Sequence, residues 1–354
     1  MSKKEKIRGT AFVAMSGGVD SSVAALLLKR AGWRVVGVYM KSWQPAGMTC
    51  MWRTERADAL RVAAALDIPL KTWDFSREYR ARVAAPMIQA YRTGTTPNPD
   101  VECNRHIKFG LFYERAMQEG ADAVATGHYA CKREMKTQNS KLKIFELRTA
   151  KDKEKDQTYF LWNIPASVLP QVLFPIGHLT KPQVRAIARK AGLATAFKKD
   201  SQGVCFVGEL NVKDFLASRI TQKRGSIVHV DGRVLGAHDG AAYYTIGQRH
   251  GLDIKEGNGP YFVVKKDMRA NTITVGGEKN LYSTRAHITD VHWLGPKPVA
   301  GAPMQAKIRY RTAAVGVVLR GNTLTFRRPV RAVAPGQSVV FYRGSRVLGG
   351  AILA

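Results

Sequence analysis

Ala14-Met15-Ser16-Gly17-Gly18-Val19-Asp20-Ser21-Ser22 decides how this chain is read: an apolar strand runs into a glycine pair and straight on into a helix. Ahead of it, Ala11 to Met15 has the unbroken apolar character of a buried parallel strand. Behind it, Ser22 to Ala31 is dense in aliphatic residues and stops at Gly32, a residue that readily ends a helix. Glycines let backbone N–H groups come close to an anion, and the new helix adds unpaired donors and the positive end of its dipole. The hydroxyls of Ser16, Ser21 and Ser22 are further donors, and Asp20 is a hard oxygen ligand able to hold a magnesium ion against phosphate oxygens. The turn is therefore read as a phosphate seat. No Gly-Lys-Ser/Thr follows it, so it is not a Walker A loop, and its spacing is not that of a dinucleotide fingerprint.

Working outward, Arg34 to Met40 reads as a second strand, with Met40 at the carboxyl end where a nucleotide base could lie. Thr54 to Leu66 is an amphipathic helix, Leu70 to Phe75 a third strand and Pro86 to Tyr91 a further helix. Thr93 to Asp100 reads as an irregular loop because of Pro97 and Pro99. Arg105 to Glu119 is then a helix, Ala121 to Thr126 a fourth strand ending in Gly127-His128, and Thr180 to Ala191 a helix with a capping start at Thr180 and a stop at Gly192. Strands alternating with helices predict an α/β domain over 1–210, a doubly wound parallel sheet. From about Asn211 short apolar runs are punctuated by Asp231-Gly232, Asn258-Gly259 and Gly276-Gly277, which predicts hairpins in a small, mainly β domain over 211–284. Further short strands after Arg285 predict a C-terminal β-barrel over 285–354.

The chain's 354 residues exceed what one core usually supports. With no apolar run of about eighteen residues and no apolar leader after Met1, it reads as cytoplasmic and without a membrane partner. The 56 Lys and Arg against 27 Asp and Glu leave a net charge of +29 and point to a polyanionic partner. Between Arg285 and Ala354 eleven Lys or Arg face a single acid, Asp290. The four cysteines, Cys50, Cys103, Cys131 and Cys205, are too few for a disulfide scaffold, and no Cys-x-x-Cys pair suggests structural zinc. Cys103 lies just before the helix expected at Arg105, where the dipole would stabilise a thiolate. Cys205 is flanked by glycines and follows Lys198-Lys199, although a cysteine taken alone is more often a small buried apolar residue, the reading kept for Cys50 and Cys131.

The loop resembles the PP-loop of adenine nucleotide α-hydrolase-like enzymes, which adenylate a substrate and release pyrophosphate. Further motifs follow in order: Thr-Pro-Asn-Pro-Asp-Val-Glu-Cys-Asn (96–104), Ala-Thr-Gly-His-Tyr (125–129), Lys-Asp-Gln-Thr-Tyr-Phe-Leu (155–161), Phe-Pro-Ile-Gly (174–177), Asp-Ser-Gln-Gly-Val-Cys-Phe-Val-Gly (200–208) and Thr-Ile-Gly-Gln-Arg-His-Gly-Leu (245–252). Together they resemble the tRNA-specific 2-thiouridylases over nearly the whole chain. The resemblance implies that Ala14, Met15, Ser16, Gly17, Gly18, Val19, Asp20, Ser21, Met40 and Gly127 bind ATP with Mg2+. It implies that Cys205 carries a persulfide from a sulfur-donor protein, and that Cys103 is a second catalytic thiol closing a transient disulfide with it. Asn98, Pro99 and Asp100 would meet the target base, and Lys155, Asp156, Gln157, His128, Arg309, Tyr310 and Gln337 would contact tRNA, of the kinds that carry Glu, Gln and Lys. The stretch Thr49 to Asp58 departs from the family's usual cysteine followed by an acidic helix start. Two other readings fit the loop alone: another ATP pyrophosphatase joining an amine to a small acid, and a non-catalytic RNA-binding protein that senses ATP.

Overall fold

The computed structural model describes residues 8–45, 52–135, 144–199, 212–221, 223–257 and 259–354. Cys50 and Cys205 lie outside the described residues. The chain forms two compact units: one of residues 1–83, 100–209 and 345–348, the other of 84–99, 210–344 and 349–354.

The first unit is built on a five-stranded sheet in the order β3-β2-β1-β4-β7, with β1 Thr10–Ala14, β2 Arg34–Lys41, β3 Leu70–Asp74, β4 Ala123–Ala125 and β7 Val172–Leu173. Every pairing in it is parallel. The expected parallel α/β architecture is thus present. Alternation along β1 feeds both faces: Ala11 and Val13 join a core with Val23, Ala24 and Leu28 of helix α1 (Val19–Arg30), Val62 of α2 (Trp52–Ala65) and Val184 of α7 (Lys181–Lys190). Phe12 points the other way, where its ring stacks on Trp73, which in turn meets Phe112 of α6 (Phe112–Gln118). Burying Val23 or Leu28 contributes about 1.5–3 kcal/mol each. Helix α1 ends as its sequence predicts: Gly32 takes φ +81°, Trp33 N–H donates to Leu28 and Gly32 N–H to Lys29.

Two stretches of this unit differ from expectation. The helix expected from Arg105 starts at Pro99, with α5 Pro99–Glu102 leading into a π-wound segment Cys103–Leu111 and then α6. Proline suits a first helical turn, whose N–H has no partner in any case; Pro99 and Asp100 therefore belong to the helix and not to the loop. Cys103 accordingly follows a full turn, and the dipole effect, which falls off within the first turn, acts on it less than its sequence position suggests. The stretch after Tyr129 forms an antiparallel hairpin, β5 Ala130–Met135 with β6 Ile144–Thr149. Arg346, at the start of β17 (Arg346–Leu353), pairs with Arg148 of β6 and makes a 2.9 Å ion pair with Glu146.

The first unit also holds the short α3 (Ser76–Tyr79). The second takes in α4 (Ala85–Arg92), the loop through Asn98, and α8 (Val212–Ala217). Its first sheet is β8 Gly225–His229, β9 Val234–His238, β10 Phe262–Asp267 and β11 Thr272–Gly276, in the order β10-β11-β8-β9. The Asp231-Gly232 turn joins β8 to β9, Gly232 adopting φ +96°. Its second sheet closes on itself: β12 Tyr282–Trp293, β15 Thr323–Arg331, β14 Val315–Arg320, β13 Met304–Lys307, β16 Ser338–Arg343 and β17, with β12 paired to β17. Ile288, Ala306, Val317, Leu324 and Phe341 fill this barrel, while Arg320, Arg327, Arg328 and Arg343 are exposed.

Candidate active site

The loop from Ala14 to Ser21 leaves the carboxyl end of the central strand β1, at the point where the strand order runs one way to β2 and the other to β4, the place where open α/β sheets bind ligands. Met15 N–H donates to Val38 at 2.8 Å and so keeps the first residue after β1 in line with β2. Ser21 Oγ accepts from Ser16 N–H at 3.2 Å and donates to the Gly18 carbonyl at 3.1 Å; Ser22 Oγ donates to the same carbonyl at 2.8 Å. These bonds hold a narrow turn from inside. Gly17 has φ +71°, and a side chain there would overlap the Glu55 carbonyl, so glycine is required twice over. Lys198 Nζ closes the turn from outside, donating to the Gly17 carbonyl at 3.0 Å and to Asp58 Oδ2 at 2.7 Å.

Gly127, after β4, comes against the first turn of α1, and Met40, half-buried on β2, stands opposite Trp73 in the ladder with β3. The residues expected from the sequence to hold a nucleotide are therefore brought together at the carboxyl ends of β1, β2 and β4. Asp20, the second residue of α1, accepts from the Tyr129 hydroxyl at 2.9 Å and from Lys181 Nζ at 2.9 Å on each oxygen. Nothing in the spacing of the chain foretold Lys181, whose sequence signal was only that of a helix start. Burial pushes the Glu55 carboxyl above its ordinary range, against the pull of Lys198 and the Tyr39 hydroxyl.

Cys103 is buried, and its neighbour Asn104 donates from Nδ2 to the Phe160 carbonyl at 2.9 Å, tying this helix to the Lys155 to Leu161 segment. His128 is buried too, its Nδ1 at 2.8 Å from Thr126 Oγ1 and its Nε2 at 3.5 Å from Lys108 Nζ. Burial, with the Lys108 ammonium beside it, pushes the ring well below the ordinary imidazole range, so His128 is neutral, Nε2 accepting from Lys108 and Nδ1–H donating to Thr126. The charge run around Lys155 is an ordered turn. Asp152 accepts the N–H groups of Glu154, Lys155 and Lys181. Asp156, 3% exposed, accepts the Ala150 N–H at 3.0 Å and the Thr158 hydroxyl on both oxygens, while Gln157 and Tyr129 exchange hydrogen bonds of 2.9 Å.

In the second unit, Gln337 donates from Nε2 to the Thr96 carbonyl at 2.8 Å and Pro335 accepts the Thr96 N–H at 2.8 Å, which fixes the loop leading to Asn98 and Pro99. Arg309 spans the carbonyls of Ile246 at 2.8 Å and Ala332 at 3.1 Å, and Tyr310 lies under the Arg311 guanidinium at 5.3 Å. Among the described residues, no cluster of three or more His, Cys, Asp or Glu side chains could hold a metal ion, and no helix is long and apolar enough to cross a membrane.

A strand–loop–helix phosphate seat on a parallel sheet, a small β sheet and a closed β-barrel define an adenine-nucleotide PP-loop protein with two appended β domains. The sequence matches the tRNA methyl transferase HUP domain family over residues 9–209, the tRNA methyl transferase PRC-barrel domain over 213–277 and the aminomethyltransferase β-barrel domain over 283–353. It is 47% identical to a tRNA-specific 2-thiouridylase of Geobacillus kaustophilus, covering 96% of this chain and 92% of that protein. It is 44% identical to the tRNA-specific 2-thiouridylase of Enterococcus faecalis over 96% of this chain and 94% of that one, and 45% identical to that of Lactococcus lactis over 100% and 96%. The chain belongs to the tRNA-specific 2-thiouridylase family.

Proposed function

We propose that this protein is a cytoplasmic tRNA-uridine 2-sulfurtransferase, using ATP to replace the C2 oxygen of the wobble uridine, position 34, with sulfur. The reading rests on one observation: a phosphate seat at the carboxyl edge of the sheet, in a chain so similar along its whole length to 2-thiouridylases. The methyl transfer in the HUP and PRC-barrel families' descriptions gains no support from this loop, because methyl transfer has no need of a triphosphate seat.

The loop amides and the α1 N-terminus hold the triphosphate, with the base toward Met40 and Gly127. The hard oxygen of Asp20 and the hydroxyls around it fit magnesium, which, when carried in with ATP, neutralises phosphate charge. The uridine C2 oxygen bonds to the α-phosphorus and pyrophosphate leaves, which turns a poor leaving oxygen into AMP. The terminal sulfur of a persulfide on Cys205, supplied by a donor protein, attacks C2 and expels AMP. Cys103 then attacks the Cys205 sulfur, leaving sulfur on the base and closing a disulfide that an external thiol reduces. Asn98, Pro99 and Asp100 meet the flipped uridine, and Lys155, Gln157, His128, Arg309, Tyr310 and the basic barrel engage tRNAs for Glu, Gln and Lys. Asp156 and Gln337 serve by holding the segments that make those contacts.

Nucleoside mass spectrometry tests this on unmodified tRNA incubated with the protein, ATP, magnesium and a persulfide donor. The expected result is 2-thiouridine with wild type and none with Cys205→Ser or Cys103→Ser. ATP cleavage to AMP without sulfur entering tRNA would leave the loop reading standing and remove the thiolation reading.

A further inference from the structure

Lysines are almost never buried unless paired. Lys181 is 9% exposed, and the surrounding chain is arranged to deliver its ammonium to the phosphate loop. It is the first residue of α7, set by the Thr180–Gln183 capping box and by its own N–H donating to Asp152 at 2.9 Å. Its Nζ meets both oxygens of Asp20 at 2.9 Å and lies 5.9 Å from the centre of the Tyr129 ring, whose hydroxyl donates to the same carboxylate. Asp20 stands in the first turn of α1, beside the donors that receive an anion. A bare carboxylate there would repel phosphate by Coulomb's law, and Lys181 cancels that charge.

The loop Ser16 to Ser22 also lacks the lysine by which a Walker A loop reaches the terminal phosphates. A lysine is a point charge with three donors on a flexible four-carbon stem, so its ammonium can pass from a carboxylate to a phosphate oxygen without losing hydrogen bonds. Lys198, the other lysine on the loop, holds the Gly17 carbonyl from the far side of the turn, together with Asp58.

We propose that Lys181 is the phosphate-binding cation of this loop, paired with Asp20 in the empty protein and turned to the β- and γ-phosphate oxygens when ATP enters. This rests on the loop being an ATP seat. As the uridine oxygen bonds to the α-phosphorus and the bond from that phosphorus to the bridging oxygen breaks, the electron pair leaves with pyrophosphate, and Lys181 faces the charge that develops there.

The test is direct binding of ATP, pyrophosphate and AMP to the full chain without tRNA, so that the thiol chemistry plays no part. Lys181→Met is expected to weaken ATP and pyrophosphate about 10- to 100-fold, the size of one charge-assisted hydrogen bond, and to leave AMP within about twofold; Lys181→Arg recovers part of the loss. Unchanged ATP and pyrophosphate affinity overturns the proposal. An equal loss for ATP and AMP also overturns it, making Lys181 a positioning residue for Asp20. If Lys181→Met does not fold, Asp20→Asn with Lys181→Met removes the unpaired carboxylate, and it must show the same selective loss relative to Asp20→Asn alone. A wild type that binds none of the three overturns the ATP-seat reading itself.

Discussion

A methyl group on the α-carbon of Gly127 would lie 2.6 Å from the backbone nitrogen of Ser21. That nitrogen belongs to the first turn of α1, so the end of β4 presses directly on the group that shapes the phosphate seat. The contact is with backbone, which cannot swing away as a flexible side chain would. Gly127→Ala is therefore expected to weaken ATP binding by at least about tenfold, or ~1.4 kcal/mol, while the parallel sheet stays folded. Calorimetric titration with ATP, alongside circular dichroism, checks this; wild-type affinity in the variant would mean that the loop yields.

His128 makes stability depend on pH below neutrality. Its folded pKa lies well below the ordinary value of 6.5, chiefly through burial and secondly through Lys108. In the unfolded chain the ring takes up a proton as pH falls through about 6.5, whereas in the folded chain it does not, so the unfolded state binds more protons there and is favoured. Stability is full above about 6.5 and declines as pH drops from there toward the folded pKa. Chemical denaturation at pH 7.5 and pH 5.5 is expected to show a smaller loss on acidification for His128→Gln than for wild type. Equal losses would place the pH dependence elsewhere.

Gln337 and Thr96 make the second unit's loop a fixed object. Cutting the 2.8 Å bond with Gln337→Ala removes one neutral side-chain hydrogen bond and leaves a carbonyl unsatisfied, a cost of about 1 kcal/mol. The expected signature is weaker tRNA binding and a raised KM for tRNA, with ATP affinity unchanged, because the substitution releases the Thr96 carbonyl of the loop leading to Asn98 and does not touch the phosphate seat. A variant whose tRNA affinity equals wild type would show that this loop does not bear on tRNA.

The barrel's exposed arginines should make tRNA binding strongly salt-dependent through counterion release. Replacing Arg327 or Arg343 by Gln is expected to lower the slope of log affinity against log salt by about 1 each. Filter binding across a salt series measures it, and a flat response in wild type would exclude the barrel from phosphate contact.

What could be read from the residues was what short stretches specify locally. The glycine pair at 17–18, the Gly32 stop and the Thr180 capping box carry their own geometry, and the structure has all three. Pro99 misleads because proline ends a strand and opens a helix with equal ease, so the loop read from the sequence runs two residues too long, taking in Pro99 and Asp100. Strand β7 is two residues, Val172 and Leu173, too short for any periodicity to show. The hairpin of β5 and β6 is half polar, with Lys132, Arg133 and Glu134 on one strand, and only pairing with its partner reveals it. Lys181 lies 161 residues from Asp20, and a pair at that separation leaves no trace in spacing or pattern.

Asp156 separates what holds the Lys155 to Leu161 segment from what that segment touches. Its oxygens accept the Ala150 N–H and the Thr158 hydroxyl while it is buried, so Asp156→Ala takes away an interior acceptor that two donors share. Losing a buried hydrogen-bond partner costs about 1–3 kcal/mol, and the loss should appear as a lowered Tm. Lys155, half-buried at the rim of the same turn, carries a charge suited to phosphate, so Lys155→Ala is expected to keep the wild-type Tm and weaken tRNA binding. Thermal melts and tRNA titrations on the two variants should therefore give opposite patterns. If Asp156→Ala melts like wild type and loses only tRNA affinity, the carboxylate faces RNA in the working enzyme, and the turn is held by its remaining bonds.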